Sequence, residues 1–547
     1  MSTTSSNPPS DDDRASVGNM GTNVSRRLAL GAAAGLCVLS STSSSGLPQR
    51  VDPAPFRPKN VGSAVSPEDY GAAGNGRTDD TTALQAAFDT GASIHLAPGK
   101  SYLVTGSLTL SKRGVSLSGG GRIKVARNFR TDADSDGNGS HMRVLFVTAA
   151  DISITDIVFD ALDAPLGSAV ENGLIWTTAP STTIRGCRFL GNPKGTCIWS
   201  LGNAPYLSVI GCQFIECSGA VFAKGRNTLV SDNVIVNATD AAIAVNGVSC
   251  VGSVIANNAI TNEKMAMIPS MIAVEEGASG WTITGNTLLG VNGGGIVCTN
   301  VLDASPVRGG VIANNVINAR RFDQKLPGGR NPAGLLSITN SYVGWIMHDN
   351  QVSGCPTGNS NSRLVLIAAS GGTFHDNVID GTDAGDLSAM ITILPGTGGL
   401  SIRNNRTVAG GNGRHFLFAA GNYGNMPCTF EGGHFLGGGE GINAELESRK
   451  IEGLRLHIRD IADTSAKSFI SAASILGDRS AFLNAGAWAR PHRIGTFTDM
   501  ACNAVPTNAG TMAFQPGDKF YFLVPRPGKP ICIVRTQKGW SGFGGVA

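Results

Sequence analysis

Charge is scarce in this 547-residue chain: Asp, Glu, Lys and Arg make up 15% of it, where roughly 25% is usual. The two signs nearly cancel, leaving a net +3. No stripe of Lys or Arg stands out, which argues against a nucleic-acid interface built on phosphate neutralisation. Cysteine is scarce too. Eleven residues are too few for a disulfide scaffold of this size, and no CxxC or Cys/His pair has zinc-site spacing. Long hydrophobic runs are missing beyond the first forty residues, so the body of the chain offers no candidate membrane span. No amphipathic helix of ten residues separates the apolar segments, which excludes coiled coils and helical solenoids. Glycine, in contrast, is abundant: 73 residues, about 13%, against roughly 7% in ordinary chains. Glycine costs about 1 kcal/mol in a helix interior, yet 41% of the chain is apolar and must build a core. Something β-rich and glycine-tolerant is required.

The amino terminus stands apart. A polar leader, residues 1–24, precedes Ser25-Arg26-Arg27-Leu28-Ala29-Leu30, a short apolar run to Leu39 and the serine-rich stretch Ser40 to Ser45. This segment resembles a twin-arginine export signal, although Ala29 stands where Phe is typical. Residues 1–46 are therefore read as signal and leader, 47–65 as linker, and the chain as exported to the periplasm, the medium or the cell surface.

From residue 150 one phrase recurs: an alternating apolar strand, a polar pair, then a second short strand. It appears around Asp156, Gly186-Cys187, Gly211-Cys212, Asp232-Asn233, Asn257-Asn258, Gly285-Asn286, Asn314-Asn315, Asp349-Asn350, Asp376-Asn377, Asn404-Asn405 and Gly432-Gly433, mostly about 21 to 30 residues apart. That period means a solenoid. The strands alternate with period two, as in Thr282-Ile283-Thr284, so the predicted fold is all-β, a single-stranded parallel β-helix of about ten to thirteen coils. Asn suits the bend because it tolerates the left-handed region and its amide can bond the next coil.

The segment Asp69-Tyr70-Gly71-Ala72-Ala73-Gly74-Asn75-Gly76-Arg77-Thr78-Asp79-Asp80-Thr81, continuing through Ala83-Leu84-Gln85-Ala86-Ala87, resembles the amino-terminal signature of the pectate-lyase-like, glycoside hydrolase family 28-related β-helix proteins, a group that includes many phage tailspikes. The resemblance implies a right-handed pectin-lyase-like β-helix, assigned here to residues 66–477. It is expected to carry an N-terminal capping helix, with Asp80 as N-cap and Leu84, Ala87 and Phe88 over the open end of the rod. Asp79 and Asp80 are read as fold determinants. Residues 478–547 are expected to form a small β module.

In that fold a sugar groove follows one strand face. Taking Ile243 and Val245, Ile272 and Val274, and Ile296 and Cys298 as core-facing turns Trp199, Phe222, Lys224, Asn246, Glu275 and Thr299 outward, with Trp176 nearby. Trp176, Trp199, Phe222, Asn246, Arg320 and Arg321 are the candidate substrate-binding residues, since aromatics stack on pyranose faces and polar groups bond hydroxyls or a uronate. Lys224, Glu275 and Asp240 are the candidate catalytic residues. A glycosidase needs paired carboxylates, and because consecutive strand residues face opposite ways, Glu276 is not expected to pair with Glu275; Asp240 or Glu263 is. A lyase needs a base such as Lys224 or Lys264 and a group that neutralises a uronate. Asp132-x-Asp134-x-Asp136-Gly137 resembles the opening of a Ca²⁺ loop, but the closing Glu is replaced by Arg143. The family 28 motif Gly-His-Gly is missing, and Arg122-Ile123-Lys124 stands near the start rather than late.

These features lead to an exported protein acting on an acidic polysaccharide, with a lyase ahead of a hydrolase or epimerase. The alternatives are a non-catalytic carbohydrate-binding or surface-structural solenoid and a tailspike-like protein, for which a homotrimer is one option.

Overall fold

The computed structural model describes residues 64–443 apart from residues 134–139, 165–171, 193, 203, 265–267, 301–305, 320–333, 355–362, 383–388, 412, 420, 424–426 and 439, and beyond residue 443 the strands alone. The twin-arginine segment lies outside the described residues. No described helix is long and apolar enough to cross a membrane.

Three parallel sheets run the length of a right-handed β-helix. The first has 15 strands, from Asn75–Asp79 to Ala462–Asp463, and the second 14, from Ile94–His95 to Arg455–Arg459. The third holds the longer strands, among them Arg143–Val147, Gly173–Thr177, Thr196–Ser200, Gly219–Ala223, Ile243–Asn246, Ile268–Glu275 and Gly293–Asn300. The strand count exceeds the ten to thirteen coils of the repeat because the first and last coils pair as the others do while lacking the Asn phrase. After Ser468–Ala472, the third sheet continues into Pro491–Ile494 and then Phe497–Cys502, Lys519–Phe522, Cys532–Thr536 and Gly539–Phe543, joined mostly antiparallel.

The recurring polar pair is a two-residue corner with a division of labour. Its first residue sits in the left-handed region in every copy, Asp156, Gly186, Gly211, Asp232, Asn257, Gly285, Asn314, Asp349, Asp376, Asn404 and Gly432 all having φ between 52° and 68°. Gly, Asn and Asp are the types that accept this at least cost. The second residue points inward and is buried. Asn233, Asn258, Asn286, Asn315, Asn350, Asn377 and Asn405 stack there, each Oδ1 accepting from the backbone N–H of the coil before at 2.8–3.1 Å. From Asn258 onward, each Oδ1 also accepts from the preceding Asn Nδ2 at 2.9–3.0 Å. Cys187 and Cys212 occupy the same buried position in the two coils before the ladder begins.

One helix, α1 (Thr81–Asp89), closes the amino-terminal end with Leu84, Ala87 and Phe88 buried, as expected. Asp80 holds the N-cap position, but its side chain turns away from the helix. Buried, it accepts from Ala73 N–H at 2.7 Å and Gly74 N–H at 3.2 Å, tying down the signature loop. Asp79 instead binds the Thr81 backbone N–H at 3.0 Å and the Thr105 hydroxyl at 2.6 Å.

Candidate functional site

The predicted register of the third sheet holds. Ile243, Val245, Ile272, Val274, Ile296 and Cys298 are all fully buried in the core, and the residues between them form two outward columns. The first column runs Phe146, Trp176, Trp199, Phe222, Ala244 and Ala273 across successive strands. The second, two residues on, brings Asn246 beside Glu275 and Glu275 beside Thr299.

The aromatic part of the first column is a closed stack. Trp176 lies 5.4 Å from Trp199 at 20°, and Trp199 lies 4.4 Å from Phe222 at 40°. The Arg143 guanidinium covers Trp176 at 4.4 Å, and Trp199 Nε1 donates to the Asn172 carbonyl at 3.0 Å. Only 3% of Trp176 and 8% of Trp199 is exposed. Their ring faces are taken up by protein, so as they stand they brace the wall of a site rather than offering open stacking platforms. Gly173 makes this packing feasible: a Cβ there would come within 2.3 Å of Trp176 Nε1 and 2.5 Å of Trp199 Cδ1. Phe222 is half-buried, with the Lys224 ammonium 5.4 Å from its ring centre. Phe146 escaped the sequence reading because the recurring phrase is first legible only after it, at Asp156.

Polar chemistry gathers at the far end of the second column. Glu275 closes the strand Ile268–Glu275 and is half-buried. Burial pushes its carboxyl above the usual range; the hydrogen bond from Asn246 pulls the other way, and the charges of Glu276 and Asp240 add to the upward push. The bond runs from Asn246 Nδ2 to Glu275 Oε2 at 3.3 Å. Asn246 is 5% exposed, and its Oδ1 has no donor among the described residues. Glu276 does not continue the strand. With φ 52° it turns the chain, so strict alternation does not separate the two glutamates and their charges act on each other. Burial, with the charges of Glu276 and Asp240 nearby, thus disfavours ionisation of Glu275, an arrangement of the kind that general-acid chemistry uses.

The other candidates fall elsewhere. Lys264 is committed to an ion pair with Glu216 at 2.7 Å, and Glu263 donates its backbone N–H to Asn237 at 2.8 Å. His348 and His375 stack in parallel at 5.0 Å, each ring bonded to its own neighbour, Asp349 or Asp376. Arg320, Arg321, Asp134 and Asp136 lie outside the described residues. Asp132 starts the short strand Asp132–Ala133, which pairs antiparallel with Ser140–His141. Among the described residues no group of three or more His, Cys, Asp or Glu is arranged to hold a metal.

Residues 64–297 match the family described as Rhamnogalacturonase A/epimerase, pectate lyase-like, a span that includes the capping signature, the aromatic column and Glu275. No curated protein matches the chain. Among solved structures, the chain resembles a tailspike protein mutant of E. coli bacteriophage HK620 in complex with hexasaccharide, at 13% identity and TM-score 0.48 over 88% of this chain and 91% of that one. It also resembles DFA-IIIase from Arthrobacter chlorophenolicus A6, at 15% identity and TM-score 0.46 over 62% and 93%. A third likeness is to PfbA, a surface adhesin of Streptococcus pneumoniae, at 13% and 0.39 over 78% and 97%.

Proposed function

We propose that this chain is a polysaccharide-active β-helix protein that hydrolyses a glycosidic bond at the end of the aromatic column, with Glu275 as proton donor. The observation that carries this is the desolvated Glu275 carboxyl, pushed up further by Glu276 and Asp240 and oriented by Asn246. A carboxyl whose ionisation is disfavoured by burial suits protonation of the leaving oxygen, with Asp240 as the second carboxylate to activate water. The half-buried Phe222 supplies a hydrophobic edge for the sugar.

A lyase is the second reading, favoured by Lys224, whose ammonium lies on the same outward face beside Phe222. Export through the twin-arginine segment belongs to the same proposal and is tested by replacing Arg26 and Arg27 with Lys and following secretion.

Full-length protein is incubated with neutral and acidic polysaccharides while reducing ends and ultraviolet absorbance of unsaturated ends are followed together. Reducing ends without absorbance are expected, with a loss of at least about 100-fold in Glu275→Gln. Absorbance rising in step with reducing ends and abolished in Lys224→Met would establish the lyase instead. A Glu275→Gln variant cleaving at the wild-type rate refutes the assignment of the proton donor.

A further inference from the structure

We infer that Cys197 and Cys217 form a disulfide that staples two successive coils beneath the aromatic column when the chain folds under oxidising conditions. Cys197 lies in the strand Thr196–Ser200, which carries Trp199, and Cys217 in the bend that leads into Gly219–Ala223, which carries Phe222. Their sulfurs are 2.9 Å apart, inside the van der Waals separation of two sulfur atoms and about 0.9 Å longer than a disulfide bond. Both are 0–1% exposed, and both belong to the continuous core of the rod. Closing the bond requires a shift of less than an ångström at two side chains already facing each other.

The burial dictates when it forms. In the folded rod neither thiol meets a reagent, so oxidation must occur while the coils are still open. One cysteine thiolate attacks a sulfur of a small-molecule disulfide and displaces its thiolate; the second then attacks the mixed disulfide and releases the other. In sum, two thiols lose two protons and two electrons, and the external disulfide becomes two thiols. Once the coils close, the bond is sealed from reductants as well. The bond closes a segment of about 20 residues, short enough to fix the relative placement of the strands bearing Trp199 and Phe222 without spanning other coils.

Other cysteines sharpen the assignment. Cys187 and Cys212 also meet on successive coils at the ladder position, but the sulfur–sulfur approach of 2.9 Å is between Cys197 and Cys217, although Cys217 Sγ also lies 2.9 Å from the Gly191 carbonyl. Cys250 faces Ser253 at 3.1 Å, and Cys298 is fully buried. The proposal therefore specifies one pair among the seven free buried cysteines of the described residues.

The test uses the full chain, reduced and denatured, then refolded in oxidised and reduced glutathione or, in parallel, with reductant throughout. Each sample is unfolded in guanidinium with N-ethylmaleimide, digested without reduction and analysed by mass spectrometry. A peptide linking Cys197 to Cys217 is expected from the oxidising sample alone, with a melting temperature higher by roughly 4 °C than the reduced sample. Cys197→Ala should abolish that difference, whereas Cys187→Ala should leave it. Quantitative alkylation of both Cys197 and Cys217 after oxidative refolding, or linkage of either to another cysteine, overturns the inference.

Discussion

Truncating one rung of the asparagine ladder, Asn286→Ala, probes what holds the coils in register. The Asn286 side chain donates from Nδ2 to the Ile255 carbonyl at 3.0 Å, the Thr284 carbonyl at 3.2 Å and Asn315 Oδ1 at 2.9 Å. Its Oδ1 accepts from Asn258 N–H at 3.0 Å and Asn258 Nδ2 at 2.9 Å. Alanine removes all five. Some partners keep another bond: Asn315 Oδ1 still accepts from the backbone of residue 286, and Asn258 Nδ2 still reaches the Val230 carbonyl. The Asn258 N–H loses its acceptor in a site that is 0–1% exposed, while the Ile255 carbonyl, mid-strand between two paired neighbours, stays in the ladder. An orphaned buried group costs about 1–3 kcal/mol, and the vacated volume adds to this, so the expected loss is roughly 2–4 kcal/mol. The control is Asn318→Ala, which removes a single exposed bond to Ser353 and should cost less than about 0.5 kcal/mol. Urea denaturation followed by circular dichroism gives the overall loss. Native-state hydrogen exchange localises it, because the Asn258 amide proton should lose protection first. If Asn286→Ala costs less than about 1 kcal/mol, or no more than the exposed control, the ladder is a consequence of the bend rather than a source of its stability.

Three further outcomes are expected. Glu275→Gln should raise stability at neutral pH while abolishing activity: the folded carboxyl is raised above its unfolded value, so the folded state holds more protons in the window above that unfolded value, and wild-type stability falls as pH rises through it. Melting curves across pH should show that slope shrinking in the variant, and an unchanged slope would contradict the assigned shift. Gly173→Ala should cost about 1–3 kcal/mol by driving a methyl into the Trp176–Trp199 stack, with a change in indole fluorescence that Gly211→Ala, where a Cβ meets nothing within 4 Å, does not produce. Asp80→Ala should cost about 2–5 kcal/mol by orphaning the Ala73 and Gly74 amides, and limited proteolysis should then begin near the signature loop.

How far the sequence could be read depends on the corner of the coil. In the coils that carry the recurring phrase, the turn between the second and first sheets is two residues, so Asp349-Asn350 and Asp376-Asn377 announce both a left-handed residue and a buried ladder amide by type alone. Local chemistry decides that corner, and it also fixes the register by which Ile243, Ile272 and Ile296 face inward. Between the first and third sheets the connection varies freely: Val291 is followed almost at once by the strand Gly293–Asn300, whereas Ala319 is followed only much later by Leu336–Val343. Whether an outward residue is open or covered depends on what such a connection packs against, a non-local matter that neither alternation nor residue type contains. Hence Trp199, expected on the outward face with Trp176 nearby, is buried with Trp176 by their surroundings, and Glu276 turns the chain where the strand ends at Glu275. A solenoid must repeat wherever coil bonds to coil, and it is free to vary wherever the bond is not needed. The desolvated carboxyl, its amide partner and the aromatic column all lie along the sheet reached from the variable corner. The residues that make this fold recognisable are therefore not those that would set its chemistry.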